Sequence, residues 1–135
     1  MNLIEFINKY MKTAVDYDKK FGPQCVDLFR QYCADVLEVP HTGSVDGAKD
    51  LYLNYDLLPK EVQYFKRVKG SSGLKPGDVI IWDKNETNKY GHAAIFLYKD
   101  GTDFIVMEQN GIKQDGTKFA ARNSTNLLGY LRFRK

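Results

Sequence analysis

The sequence predicts an α+β domain in which N-terminal helices pack on an antiparallel β-sheet. Three observations predict it. Apolar residues recur at three- and four-residue steps as far as about Tyr52, and short apolar or β-branched runs between turn signals take over from Val79. The 135 residues suffice for one core and leave no room for a second domain. A hydrophobic content of 43% and a charged content of 27% describe an ordinary folded chain, without repeats or low-complexity tracts. Twenty basic against 17 acidic residues give a net charge of +3, scattered rather than laid out as a basic stripe with interleaved aromatics. No nucleic-acid partner is expected.

In order, residues from about Asn2 to Lys12 read as an amphipathic helix with Asn2 as N-cap. A polar loop from Asp16 to Gly22 follows. The next helix carries Cys25, Leu28, Phe29, Tyr32, Cys33, Val36 and Leu37 on one face and ends before Pro40. A short helical segment is expected over Val45 to Tyr52, then a break at Leu57-Leu58-Pro59 and a strand from Val62 to Val68. Lys75-Pro76-Gly77-Asp78 is a turn signal, and Val79-Ile80-Ile81-Trp82 a buried strand. Strands over Gly91–Tyr98 and Asp103–Asn110 form a hairpin, a polar excursion runs from Gly111 to Asn126, and Leu127–Arg134 is the last strand. The expected turn is a three-residue loop, Lys99-Asp100-Gly101, with a G1 bulge and positive φ at Gly101. It sets His92 opposite Glu108; a two-residue turn at Asp100-Gly101 would set His92 opposite Gln109 and turn Glu108 away.

Cys25 is the best nucleophile candidate. Gly22 and Pro23 precede it, and proline suits the first turn of a helix, where unpaired N–H groups and the dipole favour a thiolate. The alternative is that Cys25 simply begins the core stripe. Cys33 lies eight residues further on, roughly 12 Å along the helix, too far for a disulfide. Both thiols are expected to be free, with Cys33 a core residue. A cysteine nucleophile needs a base, and the chain has two histidines: His41, in a loop, and His92, which opens a strand and is the better placed. Glu108 and Asn110 share one face at the end of an apolar strand. Either could hold the second imidazole nitrogen, or the pair could be a solvated strand end.

Four motifs stand in order: Gly22-Pro23-Gln24-Cys25-Val26-Asp27, Lys75-Pro76-Gly77-Asp78-Val79-Ile80-Ile81-Trp82, Gly91-His92-Ala93-Ala94-Ile95 and Glu108-Gln109-Asn110-Gly111. Together they resemble the CHAP family, the cysteine, histidine-dependent amidohydrolase/peptidases found in phage endolysins and bacterial wall hydrolases. The resemblance runs from about Asp16 to Arg132. It implies a papain-like fold and cleavage of amide bonds in peptidoglycan, as an N-acetylmuramoyl-L-alanine amidase or an endopeptidase of stem peptides or cross-bridges. On the same grounds Cys25 is the nucleophile, His92 the general base and then acid, Glu108 the group orienting the imidazole and Asn110 a further polar member. The Cys25 backbone N–H would serve the oxyanion; Gln24 is a second donor by its position.

The acidic loop has the 1, 3, 5, 7, 9, 12 spacing of an EF-hand across Asp16, Asp18, Lys20, Gly22, Gln24 and Asp27, yet Phe21 stands where that loop needs glycine. Some CHAP domains bind calcium here. The resemblance makes Asp16, Asp18 and Asp27 side-chain ligands, with main-chain oxygens of Lys20 and Gly22 completing the shell; the alternative is that these are turn and helix-start residues. Two other readings remain open: a thiol peptidase like the NlpC/P60 family, whose third polar residue is usually histidine, and an inactive wall- or calcium-binding module. No organic cofactor and no membrane insertion are expected, and the protein should be a monomer with bacterial peptidoglycan as its substrate. The N-terminus shows no signal peptide, so synthesis in a reducing cytoplasm is expected, with action on the wall after release or export by another route.

Overall fold

The computed structural model describes residues 1–17, 24–40, 45–109 and 116–134. Helix α1 (Leu3–Tyr10) starts in a capping box: Asn2 Oδ1 accepts the Glu5 N–H at 2.9 Å and Glu5 Oε1 accepts the Asn2 N–H at 2.9 Å. Helix α2 (Cys25–Tyr32) runs on into a wide π turn at Cys33–Leu37, closed by Glu38 at φ 56°. Helix α3 (Asp50–Leu53) is shorter than the segment expected over Val45–Tyr52. The strand expected over Val62–Val68 starts late: Pro59–Tyr64 is helix α4, and strand β1 occupies Phe65–Lys69. Pro59 sits in the first turn of α4, where a missing N–H costs no hydrogen bond, and that overrides the β-branched and aromatic composition after it.

Strands β2 (Val79–Trp82), β3 (His92–Asp100), β4 (Asp103–Glu108), β5 (Lys118–Arg122) and β6 (Leu127–Phe133) complete a sheet ordered β1-β6-β2-β3-β4-β5, antiparallel at every step. β2 is central and buried along its whole length, which explains its unbroken apolar run. Val79, Ile81, Ala93, Ile95 and Leu131 face α1 and α2, packing with Phe6, Leu28 and Phe29. Ile80, Trp82, Ala94, Phe96, Val106 and Tyr130 make a second core on the other face. β5 was not foreseen within the polar excursion. It lies at the sheet edge, yet residues 123–126 return the chain to β6, four strands away. On a flat sheet that is about 19 Å, more than the ~18 Å such a link can span, so the sheet curls and the link crosses the second face.

The β3–β4 hairpin differs from expectation. Asp100 pairs with Asp103, so the turn is the two residues Gly101-Thr102, with Gly101 at φ 61° in the first central position as a type II′ turn requires. The bulge lies not at Gly101 but further along: Tyr98 pairs with Ile105, whereas Phe96 pairs with Val106, leaving Leu97 as the extra residue. Continued past Ile95↔Met107, the register sets Ala94 opposite Glu108. His92 and Glu108 therefore share a face, as diagonal neighbours rather than a direct pair.

Candidate active site

Cys25 is the first residue of α2, after Gln24 as N-cap. The Gln24 carbonyl accepts the Asp27 N–H at 3.0 Å, and Asp27 Oδ2 accepts the Gln24 N–H at 3.0 Å, which fixes the chain direction on entry to the helix. The apolar face behind it, Leu28 and Phe29, is buried in the core, while Cys25 itself is only partly buried. Both cysteines are free thiols. Cys33 is buried, and burial with Glu61 nearby pushes its thiol well above the usual range, leaving it protonated and inert.

His92 begins β3 directly after Gly91, whose φ is 75°. A Cβ at Gly91 would lie 2.5 Å from the Trp82 carbonyl and 2.8 Å from Lys49 Cβ, so only glycine lets the chain pass there. The approach is held by the Lys49 N–H to the Tyr90 carbonyl at 3.0 Å and by Asn88 Nδ2 to the Gly91 carbonyl at 2.8 Å. Trp82 pairs with His92 across β2 and β3 and covers its ring, centroids 5.7 Å apart.

His92 Nε2 lies 3.0 Å from Glu108 Oε1, and Cys25 is close enough to the ring to raise its pKa. Since Glu108 takes Nε2, Nδ1 is left to meet the thiol. Glu108 is 0% exposed, and Arg122 on β5 grips it: Nε donates to Oε1 at 2.7 Å and Nη2 to Oε2 at 2.5 Å. Burial alone would push the imidazole towards neutrality, but the hydrogen bonds to Cys25 and Glu108 outweigh it and raise the His92 pKa to about 9. Burial likewise opposes the Glu108 charge, yet hydrogen bonds from His92 and Arg122 hold its pKa down at about 2. At neutral pH the site thus holds an imidazolium against a carboxylate.

Gln109, next to Glu108, is fully buried and faces the other way. Its Oε1 accepts the Val15 N–H at 2.6 Å, and its Nε2 donates to the carbonyls of Val15 at 2.6 Å and Gln24 at 2.8 Å. It ties the residue preceding Cys25 to the strand that carries Glu108.

Beside His92, a cleft of about 330 Å³ opens between Trp82, Asn85 and Asn88 on one side and Arg122, Asn123 and Asn126 on the other. Its lining is mixed, with Asp83, His92 and Arg122 among neutral polar and apolar residues. The structure brings Cys25, His92 and Glu108 together; Asn110 lies outside the described residues, as do Asp18, Lys20 and Gly22 of the expected calcium loop. Asp27 is buried at the helix start, and Asp16 Oδ1 is buried with no hydrogen-bond partner among the described residues. The sequence did not point to Arg122 or Gln109. Arg122 sits on an edge strand whose Phe119 and Ala121 are exposed, so no apolar alternation marks it. Gln109 looked like part of a polar strand end.

The family model described as the CHAP domain matches residues 14–110. Endolysin PlyTW of Staphylococcus phage Twort is 27% identical, with 78% of this chain aligned to 22% of its length. Among solved structures, wild-type endolysin LysIME-EF1 superposes with a TM-score of 0.67 at 21% identity, covering 96% of this chain and 61% of that one. Ly7917 "with the hydrolyzing product of MDP" gives 0.64 at 15% identity, covering 96% and 60%. These likenesses establish the α+β fold; the chain spans about a fifth of the phage relative.

Proposed function

Because the chain belongs to the CHAP domain family, we propose that it hydrolyses an amide bond of bacterial peptidoglycan through a cysteine nucleophile, as an amidase or endopeptidase. The observation that carries this reading is the His92 ring, held at 3.0 Å by Glu108 and close enough to Cys25 for the thiol to raise its pKa. In the proposed reaction His92 holds the proton of the Cys25 thiol, the sulfur attacks the carbonyl carbon, and the oxyanion is met by the Cys25 backbone N–H at the helix start, with Gln24 as second donor. His92 passes its proton to the leaving amine as the C–N bond breaks. It then takes one from the water that cleaves the thioester, releasing the acid and the free thiol. Glu108 keeps the ring oriented and balances its charge. A carboxylate in the third place, rather than a histidine, favours this family over the NlpC/P60 peptidases.

The same reading includes calcium at the loop before α2. The fit rests on Asp16 Oδ1, buried and without a partner among the described residues, and on the buried Asp27 carboxylate, hard oxygen donors of the kind the ion takes. Bound there, calcium would add a charge-stabilised contact beside the start of the helix that carries Cys25. A chelator should then lower the melting temperature and added calcium restore it. An unchanged melting curve after metal stripping would rule the site out. The hydrolysis itself is tested by incubating purified walls with the wild type and with Cys25→Ala and sequencing the released muropeptides by mass spectrometry. New termini at one amide bond, absent with Cys25→Ala, are expected; equal release by the folded variant would defeat the mechanism.

A further inference from the structure

The Glu108 carboxylate is wholly buried, and its two oxygens are divided unequally. Oε1 is shared by His92 Nε2 at 3.0 Å and Arg122 Nε at 2.7 Å, while Oε2 is taken by Arg122 Nη2 at 2.5 Å. A planar guanidinium that binds both oxygens side-on fixes the plane of the carboxylate as well as its charge. The terminal torsion of a glutamate is otherwise soft, and a small rotation would take Oε1 off the imidazole. Arg122 is in turn partly exposed, its side chain 39% accessible on the cleft wall beside His92. Thus, among the described contacts, the one that reaches both oxygens of Glu108 comes from Arg122 on the edge strand.

We propose that Arg122 is a positioning residue for the reaction proposed above: by gripping both oxygens of Glu108 it sets the angle at which that carboxylate meets His92 and keeps it ionised in a buried site. The inference rests on that functional reading only for its link to turnover. The charged and titratable groups that face Glu108 are His92 from β3, which Cys25 of α2 also bonds, and Arg122 from β5. Lys118, also on β5, stands opposite Glu108 in the strand register. Without Arg122, burial works against the Glu108 charge with His92 as its chief counterweight, and the carboxyl takes up a proton more readily. A protonated Glu108 no longer balances the imidazolium.

The test uses the full chain as wild type, Arg122→Gln and Arg122→Lys. Glu108 is followed by carboxyl carbon NMR titration, and turnover of a purified wall suspension is measured from acid to neutral pH. In Arg122→Gln, Glu108 should titrate at least about one pH unit above the wild type. Its kcat should fall roughly ten- to hundredfold, with apparent KM unchanged and the loss deepening towards acid. Arg122→Lys keeps charge without the fork, so Glu108 should stay ionised while kcat still falls severalfold. The proposal is overturned if Glu108 in folded Arg122→Gln titrates as in the wild type, if the loss is equal at every pH, or if only KM changes. Should Arg122→Gln fail to fold, an Arg122→Lys variant as active as the wild type overturns it instead. If the wild type itself releases nothing from walls, the functional reading fails, and the titration still decides whether Arg122 governs Glu108.

Discussion

At the residue scale, two thiols of the same chemistry are separated by a few turns of one helix. Cys25 opens α2, partly exposed and bonded to His92; Cys33 is buried, with its thiol held protonated. Iodoacetamide should therefore label Cys25 first, and Cys33→Ala should leave the label and the chemistry intact at a stability cost of about 1 kcal/mol. Peptide mapping that finds Cys33 modified first would contradict this assignment. The imidazolium–carboxylate pair has a pH signature. His92 is raised from 6.5 to about 9, so its stabilisation is complete below about 6.5 and is lost as pH rises through 9. Glu108 is lowered from 4.5 to about 2, so its share is complete above about 4.5 and is lost as pH falls through 2. Urea midpoints should be highest from about 4.5 to 6.5 and decline towards 9. His92→Gln should flatten the alkaline decline, and a variant that keeps the full decline would assign it to another group.

At the element scale, the site depends on strand parity. With the turn at Gly101-Thr102 and no bulge, continuing the Asp100↔Asp103 register would put Glu108 on the face away from His92. The extra residue at Leu97 restores the parity. The sequence showed that a bulge was needed and that glycine belonged in the turn. It did not show where the bulge lay, because Leu97 fits an apolar strand as well bulged as paired. The strands of the core were legible for a related reason: β2 and β6 are apolar where they are buried. β5 was not, since its exposed side carries Phe119 and Ala121 while its half-buried side carries Lys118 and Arg122. A tighter element is the crossing at Gly91. Gly91→Ala must force φ 75° on an alanine and push a methyl to 2.5 Å from the Trp82 carbonyl, displacing His92. We expect a loss of about 2–4 kcal/mol by urea denaturation and of wall hydrolysis even where the variant is folded. An active, undiminished Gly91→Ala protein would show that the crossing has no part in placing His92.

At the scale of the molecule, Cys25 and the residues beside it, His92 and Glu108, come from distant parts of the chain. The Lys12 N–H donates to the Thr117 carbonyl at 2.8 Å, and the Thr117 N–H to the Thr13 carbonyl at 3.0 Å. Gln109 then bonds Val15 and Gln24, 94 and 85 residues away in sequence. Such contacts join residues far apart in sequence, which is why no local pattern announced Gln109. Gln109→Glu keeps the side-chain shape but turns its donor into a second acceptor facing the carbonyls of Val15 and Gln24. Gln109→Leu leaves the Val15 N–H without its partner as well. Each unmatched buried group costs about 1–3 kcal/mol, so both variants should lose about 3 kcal/mol or more in urea denaturation. The decisive measurement is turnover under conditions where each variant is fully folded. If Gln109 fixes α2 relative to β4, folded protein should still lose activity, with Cys25 alkylated at a rate that no longer follows the wild-type pH dependence. Wild-type turnover in folded Gln109→Glu would mean that these bonds stabilise the domain without aligning its two halves.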